Sequence, residues 1–171
     1  MGIPEPRVVL LSNGEEDTKG NALVQETHRR LRALDLRFVG NVEGKDLTRG
    51  MADVVVADGF AGNVAIKTAE GVASMLLHTL RTEIKSRTLA SLGALMAKPA
   101  FRATAKKLDY REYGGAPFLG VNGVVIIGHG RSDPLAIENA VGVAIGAVEA
   151  DLVETIRRDI EGTAVGENDA H

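Results

Sequence analysis

The chain has 171 residues, of which 44% are hydrophobic, so residues 1–171 are long and apolar enough to form one compact domain. Its net charge of −3 gives no reason to expect binding to nucleic acid. The absence of cysteine excludes disulfides, thiolate metal sites and cysteine nucleophiles, which is typical of a cytoplasmic protein. No apolar segment reaches the length of a membrane span, and the four histidines lack metal-ligand spacing, so we expect no metal site.

The first part of the chain predicts the order strand, helix, strand, strand. A Val/Leu run predicts a buried strand at 7–11, and apolar residues at helical spacing predict an amphipathic helix at 22–34. Further short strands are expected at 38–42 and 53–57. His28 lies on the predicted helix among charged residues, and we expect it at the surface.

The third strand runs directly into a glycine turn and a helix start, within residues 54–67. Gly59 and Gly62 permit backbone conformations and close approaches that a side chain would block. Asp58 stands at the carboxyl end of the strand, where ligands gather in α/β proteins, and the helix start favours an anion. The alternative is an ordinary strand-to-helix turn in which Asp58 or Asn63 serves only as a helix cap.

The long helix that follows leads into a segment, residues 84–108, that has six basic residues and no acidic one. Apolar residues interleave with these charges on both sides of Pro99, which predicts two short amphipathic helices forming a hairpin. The hairpin suits docking on an anionic membrane surface through Leu89, Leu92, Leu95, Met96 and Phe101. The alternative is a helical hairpin whose apolar side packs on the domain or on a second subunit.

A second passage predicts a loop, a strand and a helix. Glycines fill the loop at 114–123, an apolar run predicts a strand at 124–127, and Pro134 follows a helix-capping aspartate. One final helix carries apolar residues from 141 to 160, and residues 162–171 are expected to be a frayed tail.

Five polar and glycine-rich motifs, in this order and spacing, closely resemble the bacterial phosphate acyltransferase family of the PlsX type. They are Asn13-Gly14-Glu15-Glu16 with Lys19-Gly20-Asn21, Gly40-Asn41-Val42-Glu43-Gly44, residues 58–67, Glu112-Tyr113-Gly114-Gly115-Ala116-Pro117, and Gly128-His129-Gly130. The resemblance covers nearly the whole chain and corresponds to the carboxyl-terminal half of the family, whose usual amino-terminal half has no counterpart here.

The resemblance implies a fatty acyl transfer from acyl carrier protein to inorganic phosphate, which yields an acyl phosphate for phospholipid synthesis. It also implies an α/β class fold, a three-layer α/β/α sandwich akin to the isocitrate and isopropylmalate dehydrogenases with a protruding helical hairpin. The expected protein is a cytoplasmic homodimer, peripherally associated with the membrane, that needs no cofactor.

Phosphate is itself the nucleophile of this reaction, so the protein must hold the dianion and stabilise the developing oxyanion. The resemblance places Lys19 and Asn63 first for this work, although Lys19 could be a solvated loop lysine. Asp58 could orient a phosphate hydroxyl or a lysine, and His129 could protonate the leaving thiolate or be a structural histidine. The expected phosphate-binding residues are Gly59, Gly62, Lys67, Gly114 and Gly115.

Two other functions remain open. A phosphotransacetylase-like enzyme using acyl-coenzyme A needs the same phosphate chemistry but has no use for a basic, apolar hairpin. A non-catalytic module for dimerisation or membrane docking is the second. A dehydrogenase-like nucleotide binder is disfavoured, because residues 59–62 do not form the Gly-x-Gly-x-x-Gly pattern.

Overall fold

A computed structural model describes residues 3–107 and 110–168, and the chain divides into two compact units, residues 1–88 and 89–171. Leu108 of the predicted hairpin and residues 169–171 of the predicted tail lie outside the described residues. The single domain expected for the whole chain stays a prediction.

The first unit is built on a three-stranded parallel sheet. Its strands are β1 (Val8–Leu11), β2 (Phe38–Val42) and β3 (Val54–Val56), in the order β2-β1-β3. These strands confirm the three that the sequence predicts. Because β1 lies in the middle, both of its edges are hydrogen-bonded, with Val8 opposite Val54 on one side.

The core of the first unit surrounds this central strand. Val8, Val9 and Leu10 are buried, and Val9 is 1% exposed. Helix α1 (Ala22–Ala33) packs on β1 and β2 and buries Val24 against them. The predicted helix is therefore confirmed, but its buried residues are Val24 and His28, while the apolar Leu23 beside them is 59% exposed.

Helix α2 (Gly59–Lys85) follows β3 and begins at Gly59, within the segment where the sequence predicts a helix start. It has no buried residue. The apolar residues that recur at helical spacing along it are exposed, including Val72 at 46% and Leu76 at 60%. Helical periodicity correctly indicates the helix but does not reveal whether a partner covers its apolar side.

Two helices follow at the start of the second unit: α3 (Thr88–Met96) and α4 (Lys98–Lys107). They are separated at Ala97, and Pro99 lies in the first turn of α4, where a missing N–H costs little. The predicted break between two short helices is therefore confirmed.

The remainder of the second unit consists of β4 (Gly115–Pro117), β5 (Ile126–Gly128), α5 (Pro134–Glu149) and α6 (Leu152–Asn168). The two strands pair antiparallel. The prediction of a loop over the whole of 114–123 is wrong, because Gly115–Pro117 form β4. A three-residue strand containing glycine and proline lacks the β-branched and aromatic residues by which strands are recognised.

The predicted single final helix is broken. Asp151 adopts a φ of 48°, in the left-handed region, and separates α5 from α6. The helical backbone then continues to Asn168, so the predicted frayed tail is wrong for residues 162–168. The described residues include a parallel sheet and helices, which confirms the predicted α/β class, while the three-layer sandwich stays a prediction.

Candidate functional site

The first unit has a change of direction in its sheet. From β1 the chain goes to β2 on one side, and then crosses to β3 on the other side. In open parallel sheets, ligands bind in the crevice outside the carboxyl ends of the strands at such a point. The loop after β1 and the turn after β3 are therefore the places to look for a site.

A cleft of about 520 Å³ lies where these two segments meet. Its wall includes Ser12, Asn13 and Asn21 from the loop after β1, and Asp58 and Phe60 from the start of α2. The sequence-predicted motifs at 13–21 and 58–67 thus share one cleft, although they are far apart in the chain.

The loop after β1 is ordered by its own hydrogen bonds. Asn13 Oδ1 accepts the Gly20 N–H at 2.8 Å, and the Glu16 carbonyl accepts the Lys19 N–H at 3.0 Å. Gln25 on α1 donates its side-chain amide to the Thr18 carbonyl at 2.7 Å. The loop is therefore held in a defined shape beside the cleft, which a bound anion needs.

Lys19 is exposed and has no ion-pair partner among the described residues. It immediately precedes the cleft residue Gly20 but is not itself among the residues that line the cleft. Its aliphatic stem lies over Gly14, which is buried. An ammonium group in this position has its charge available for an anion.

Asp58 is the cap of α2. Its Oδ1 accepts the N–H groups of Phe60 and Ala61, each at 2.9 Å. This confirms the capping interpretation, and the carboxylate complements the positive end of the helix dipole. A phosphate dianion at the start of α2 would face this carboxylate, so the helix start alone is a poor cradle.

The start of α1 also lies at this cleft and is more favourable for an anion than the start of α2. Its cap is the neutral side chain of Asn21, which accepts the Val24 N–H at 2.9 Å. Next to it, the Oγ of Ser12 is buried and has no hydrogen-bond partner among the described residues. A hydroxyl donor and an uncharged helix start are suitable groups for an anion, and the sequence analysis did not single out Ser12.

Two other predicted residues of α2 do not line the cleft. Asn63 is exposed and is not among the lining residues. The Lys67 ammonium donates to Glu70 at 3.0 Å. The convergence of Lys19 and Asn63 on one ligand stays a prediction.

The two glycines of the predicted turn do not have the steric role that the sequence suggests. A Cβ at Gly59 would meet nothing within 4 Å, and one at Gly62 would be 3.4 Å from the Ala57 Cβ, an ordinary contact. Neither has a positive φ. The expectation that a side chain would be blocked there is wrong, while their phosphate-binding role stays a prediction.

Three of the predicted catalytic and phosphate-binding residues belong to the second unit. A Cβ on Gly114 would lie 2.3 Å from the Ala140 nitrogen, and one on Gly115 would lie 2.6 Å from the Ile127 carbonyl oxygen. Close packing on α5 and β5 therefore explains these glycines. His129 Nδ1 accepts the Arg131 N–H at 3.1 Å. The catalytic role of His129 and the phosphate-binding role of the glycines stay predictions.

His28 is not at the surface, contrary to the sequence-based expectation. It is 3% exposed, and its Nδ1 lies 2.9 Å from Asn41 Oδ1. Its ring also contacts Phe38 edge to face, with centroids 5.1 Å apart. Charged neighbours on α1 hid this residue, but its spacing of four from the buried Val24 was a signal for the inner face.

Three carboxylates, from Glu15, Glu43 and Asp46, gather near the 3₁₀ turn at Gly44–Asp46. Lys45 donates to Glu43, which raises the pKa of Lys45, and Arg49 pairs with Asp46 at 2.7 Å. These two cations offset part of the negative charge of the three carboxylates. The expectation that the protein binds no metal stays a prediction.

A model of the family described as fatty acid synthesis protein matches residues 1–155. The chain belongs to this family. Within it, the chain is 52% identical over 162 residues to a phosphate acyltransferase of Heliobacterium modesticaldum, which covers 95% of the chain and 48% of that protein. It is 51% identical over 160 residues to the phosphate acyltransferase of Campylobacter lari, with 94% and 48% covered.

A phosphate acyltransferase of Helicobacter pylori is 56% identical over 156 residues, which are 91% of the chain and 46% of that protein. The chain thus spans about half the length of the curated relatives that it matches. Among the described residues of this fatty acid synthesis family member, no helix is long and apolar enough to cross a membrane.

Proposed function

We propose that this chain carries the phosphate-binding part of an enzyme that transfers a fatty acyl group from acyl carrier protein to inorganic phosphate. The product, an acyl phosphate, supplies phospholipid (phosphatidic acid) synthesis. The observation that carries the proposal is the identity of about 50% to proteins named phosphate acyltransferase over about 95% of the chain. The cleft between the loop after β1 and the start of α2 adds a place for the anion.

Within this proposal, phosphate binds in the cleft between Lys19 and the start of α1. Lys19 supplies a positive charge that no carboxylate of the described residues neutralises. Ser12 supplies a hydroxyl, and the neutral Asn21 cap leaves the helix dipole to attract the anion. Asn63, from the first turns of α2, donates its amide to the oxyanion as acyl transfer proceeds.

The reaction has a simple balance. A phosphate oxygen attacks the thioester carbonyl carbon, a C–O bond forms, and the carbonyl oxygen becomes an oxyanion. The oxyanion then collapses, the C–S bond breaks, and the thiolate of the carrier leaves and takes up a proton from water. No cofactor is required, because phosphate is already a nucleophile.

The complete protein of this kind is proposed to be a three-layer α/β/α sandwich of the isocitrate/isopropylmalate dehydrogenase type. It is proposed to be a homodimer in the cytoplasm, attached peripherally to the membrane. The parallel sheet of the first unit and its helices are compatible with such an architecture.

The membrane contact is assigned to α3 and α4, which fall within the basic segment 84–108. Their apolar side chains are largely exposed: Leu89 is 83%, Leu92 61%, Leu95 67% and Met96 86% exposed. Phe101 on α4 is 41% exposed. Exposed apolar residues beside basic ones suit an anionic lipid surface. The alternative occupant of the same residues is a second copy of the chain.

Two competing functions are separable by substrate. A phosphotransacetylase-like enzyme would accept acyl-coenzyme A as well as or better than the acyl carrier protein thioester. A non-catalytic docking or dimerisation module would bind vesicles or itself without turnover.

The testing experiment is an assay of acyl phosphate formation from phosphate and either acyl donor. The chain is assayed alone and together with a polypeptide that supplies the other half of a relative. We expect acyl phosphate only from the acyl carrier protein thioester. Equal use of acyl-coenzyme A would favour the first competitor, and binding without turnover in either combination would favour the second.

A further inference from the structure

A buried polar pair joins α1 to β2 behind the cleft loop. His28 on α1 is 3% exposed and Asn41 on β2 is 7% exposed. Their side chains are hydrogen-bonded, with 2.9 Å between His28 Nδ1 and Asn41 Oδ1. Burying a polar side chain is costly unless its hydrogen bonds are made, and the buried His28 Nε2 has no hydrogen-bond partner among the described residues, so this pair needs a physical reason.

The pair is connected to Lys19 through a single carbonyl group. The Asn41 side-chain Nδ2 donates to the Glu16 carbonyl at 2.8 Å. The same carbonyl accepts the backbone N–H of Lys19 at 3.0 Å. The buried pair therefore fixes the Glu16 carbonyl oxygen, which accepts the hydrogen bond from the Lys19 backbone N–H.

The direction of each hydrogen bond follows from the chemistry of the groups. The Glu16 carbonyl can only accept, so the Asn41 amide nitrogen faces it and the Asn41 oxygen faces His28. His28 Nδ1 must then carry the hydrogen. The ring's other nitrogen, Nε2, lies 3.4 Å from a carboxylate oxygen of Asp17, a residue of the same loop.

We propose that His28 and Asn41 are positioning residues for Lys19. They act through the Glu16 carbonyl and keep the Lys19 backbone beside the cleft, so that its ammonium group is presented to phosphate. This inference rests on the proposed function only in naming phosphate as the ligand of Lys19. The hydrogen-bonded path from His28 to the Lys19 N–H is independent of that function.

The test uses the 171-residue chain and four variants. His28→Asn retains an N–H donor at the place of Nδ1, whereas His28→Leu removes it. Asn41→Asp retains the oxygen that faces His28 but replaces the donor that faces the Glu16 carbonyl. His78→Asn is the matched control, because His78 is an exposed histidine on α2 in the same unit.

Two quantities are measured: hydrogen exchange of the Lys19 amide by NMR, and the dissociation constant for inorganic phosphate by titration. In His28→Leu and Asn41→Asp we expect Lys19 exchange to become roughly tenfold faster and phosphate binding to weaken by roughly three- to tenfold, the range for one lost buried hydrogen bond. His28→Asn should restore both values to near those of the wild type, and His78→Asn should change neither.

If His28→Leu does not fold, the comparison of Asn41→Asp with His28→Asn and the wild type carries the test. Unchanged Lys19 exchange in Asn41→Asp, or failure of His28→Asn to retain the wild-type exchange rate, would overturn the proposal. The His28 and Asn41 variants could show faster exchange of the Lys19 amide but unchanged phosphate affinity. If Lys19→Ala also binds phosphate normally, these results would support the positioning of Lys19 but refute Lys19 as the phosphate ligand.

Discussion

The side chain of Lys19 lies across Gly14. A methyl group added to Gly14 would stand 2.6 Å from Lys19 Cγ and 3.0 Å from Lys19 Cδ. Contacts this short are not tolerated between carbon atoms, and Gly14 is buried, so the lysine stem requires a glycine beneath it.

We therefore expect Gly14→Ala to move the Lys19 side chain while leaving the sheet intact. Phosphate affinity should fall by roughly three- to tenfold, the effect of losing one ordinary hydrogen bond. Gly71→Ala on α2 is the control, because a Cβ at Gly71 would have no atom within 4 Å. This variant should leave phosphate affinity unchanged. Titration with phosphate measures the affinity of both variants. Equal phosphate affinities of Gly14→Ala and Gly71→Ala would refute the claim that Gly14 positions the Lys19 side chain.

The cap of α2 makes a separate prediction. Asp58→Ala removes the acceptor of the Phe60 and Ala61 N–H groups and should lower the free energy of unfolding by about 1 kcal/mol. Asp58→Asn retains a capping oxygen and should stay near the wild type. Denaturant unfolding compares the three proteins. A loss in Asp58→Asn as large as that in Asp58→Ala would show that the negative charge, not the cap, is what the fold needs.

Arg7 and Asp53 tie the start of β1 to the start of β3. The carboxylate of Asp53 accepts the Arg7 Nε–H at 2.9 Å and the Arg7 backbone N–H at 2.8 Å, which lowers the pKa of Asp53 from 3.8 to about 2. Because the folded-state pKa is the lower one, this stabilisation is present above pH 3.8 and is lost as the pH falls to about 2.

Asp53→Asn should therefore be less stable than the wild type at neutral pH, and the difference should shrink between about pH 4 and pH 2. Thermal unfolding of both proteins across this range measures it. A difference that is constant with pH would mean that the ionised carboxylate contributes nothing.

The docking proposal for α3 predicts that acidic residues in place of its leucines weaken vesicle binding. The double variant Leu92→Glu/Leu95→Glu should abolish co-sedimentation with anionic vesicles, since about 1.5 to 3 kcal/mol is lost for each buried leucine. High salt should release the wild type, because screening shortens the reach of the basic residues. The measurement is vesicle co-sedimentation at low and high salt.

The matched control is Val72→Glu/Leu76→Glu, which adds the same charges to exposed apolar positions of α2 outside the basic segment. It should keep vesicle binding. Two results would contradict membrane docking by α3. One is dissociation of a dimer by Leu92→Glu/Leu95→Glu in sedimentation equilibrium, which would make α3 part of a dimer interface. The other is a wild type that does not bind anionic vesicles at low salt.

Local patterns sufficed for the strands and helices of the first unit. The Val/Leu run of β1 and the helical spacing of apolar residues on α1 are strong periodic signals, although they did not place His28 in the core. The short β4 and the break at Asp151 carry no such signal, because they depend on pairing with β5 and on an unusual backbone conformation. The exposed stripe of α2 shows that periodicity cannot identify a packing partner.

The site was predictable to the level of its segments. Strand ends and polar loops indicated Lys19 and Asp58 in sequence, and parallel pairing of β1 with β3 brings their segments to one cleft. The link from His28 through Asn41 to Glu16 was not predictable from the sequence. His28 and Asn41 are 13 residues apart, Asn41 and Glu16 are 25 residues apart, and only the fold brings them into contact.

The central claim is that the cleft after β1 and β3 binds the phosphate that accepts the acyl group. Its most direct test is acyl phosphate formation by the chain together with the other half of a relative, using acyl carrier protein thioester and phosphate. We expect Asn63→Ala to lower turnover by roughly ten- to a thousandfold and Lys19→Ala to raise the KM for phosphate, while Lys45→Ala leaves both unchanged. Wild-type rates and KM values in Lys19→Ala and Asn63→Ala would contradict the account.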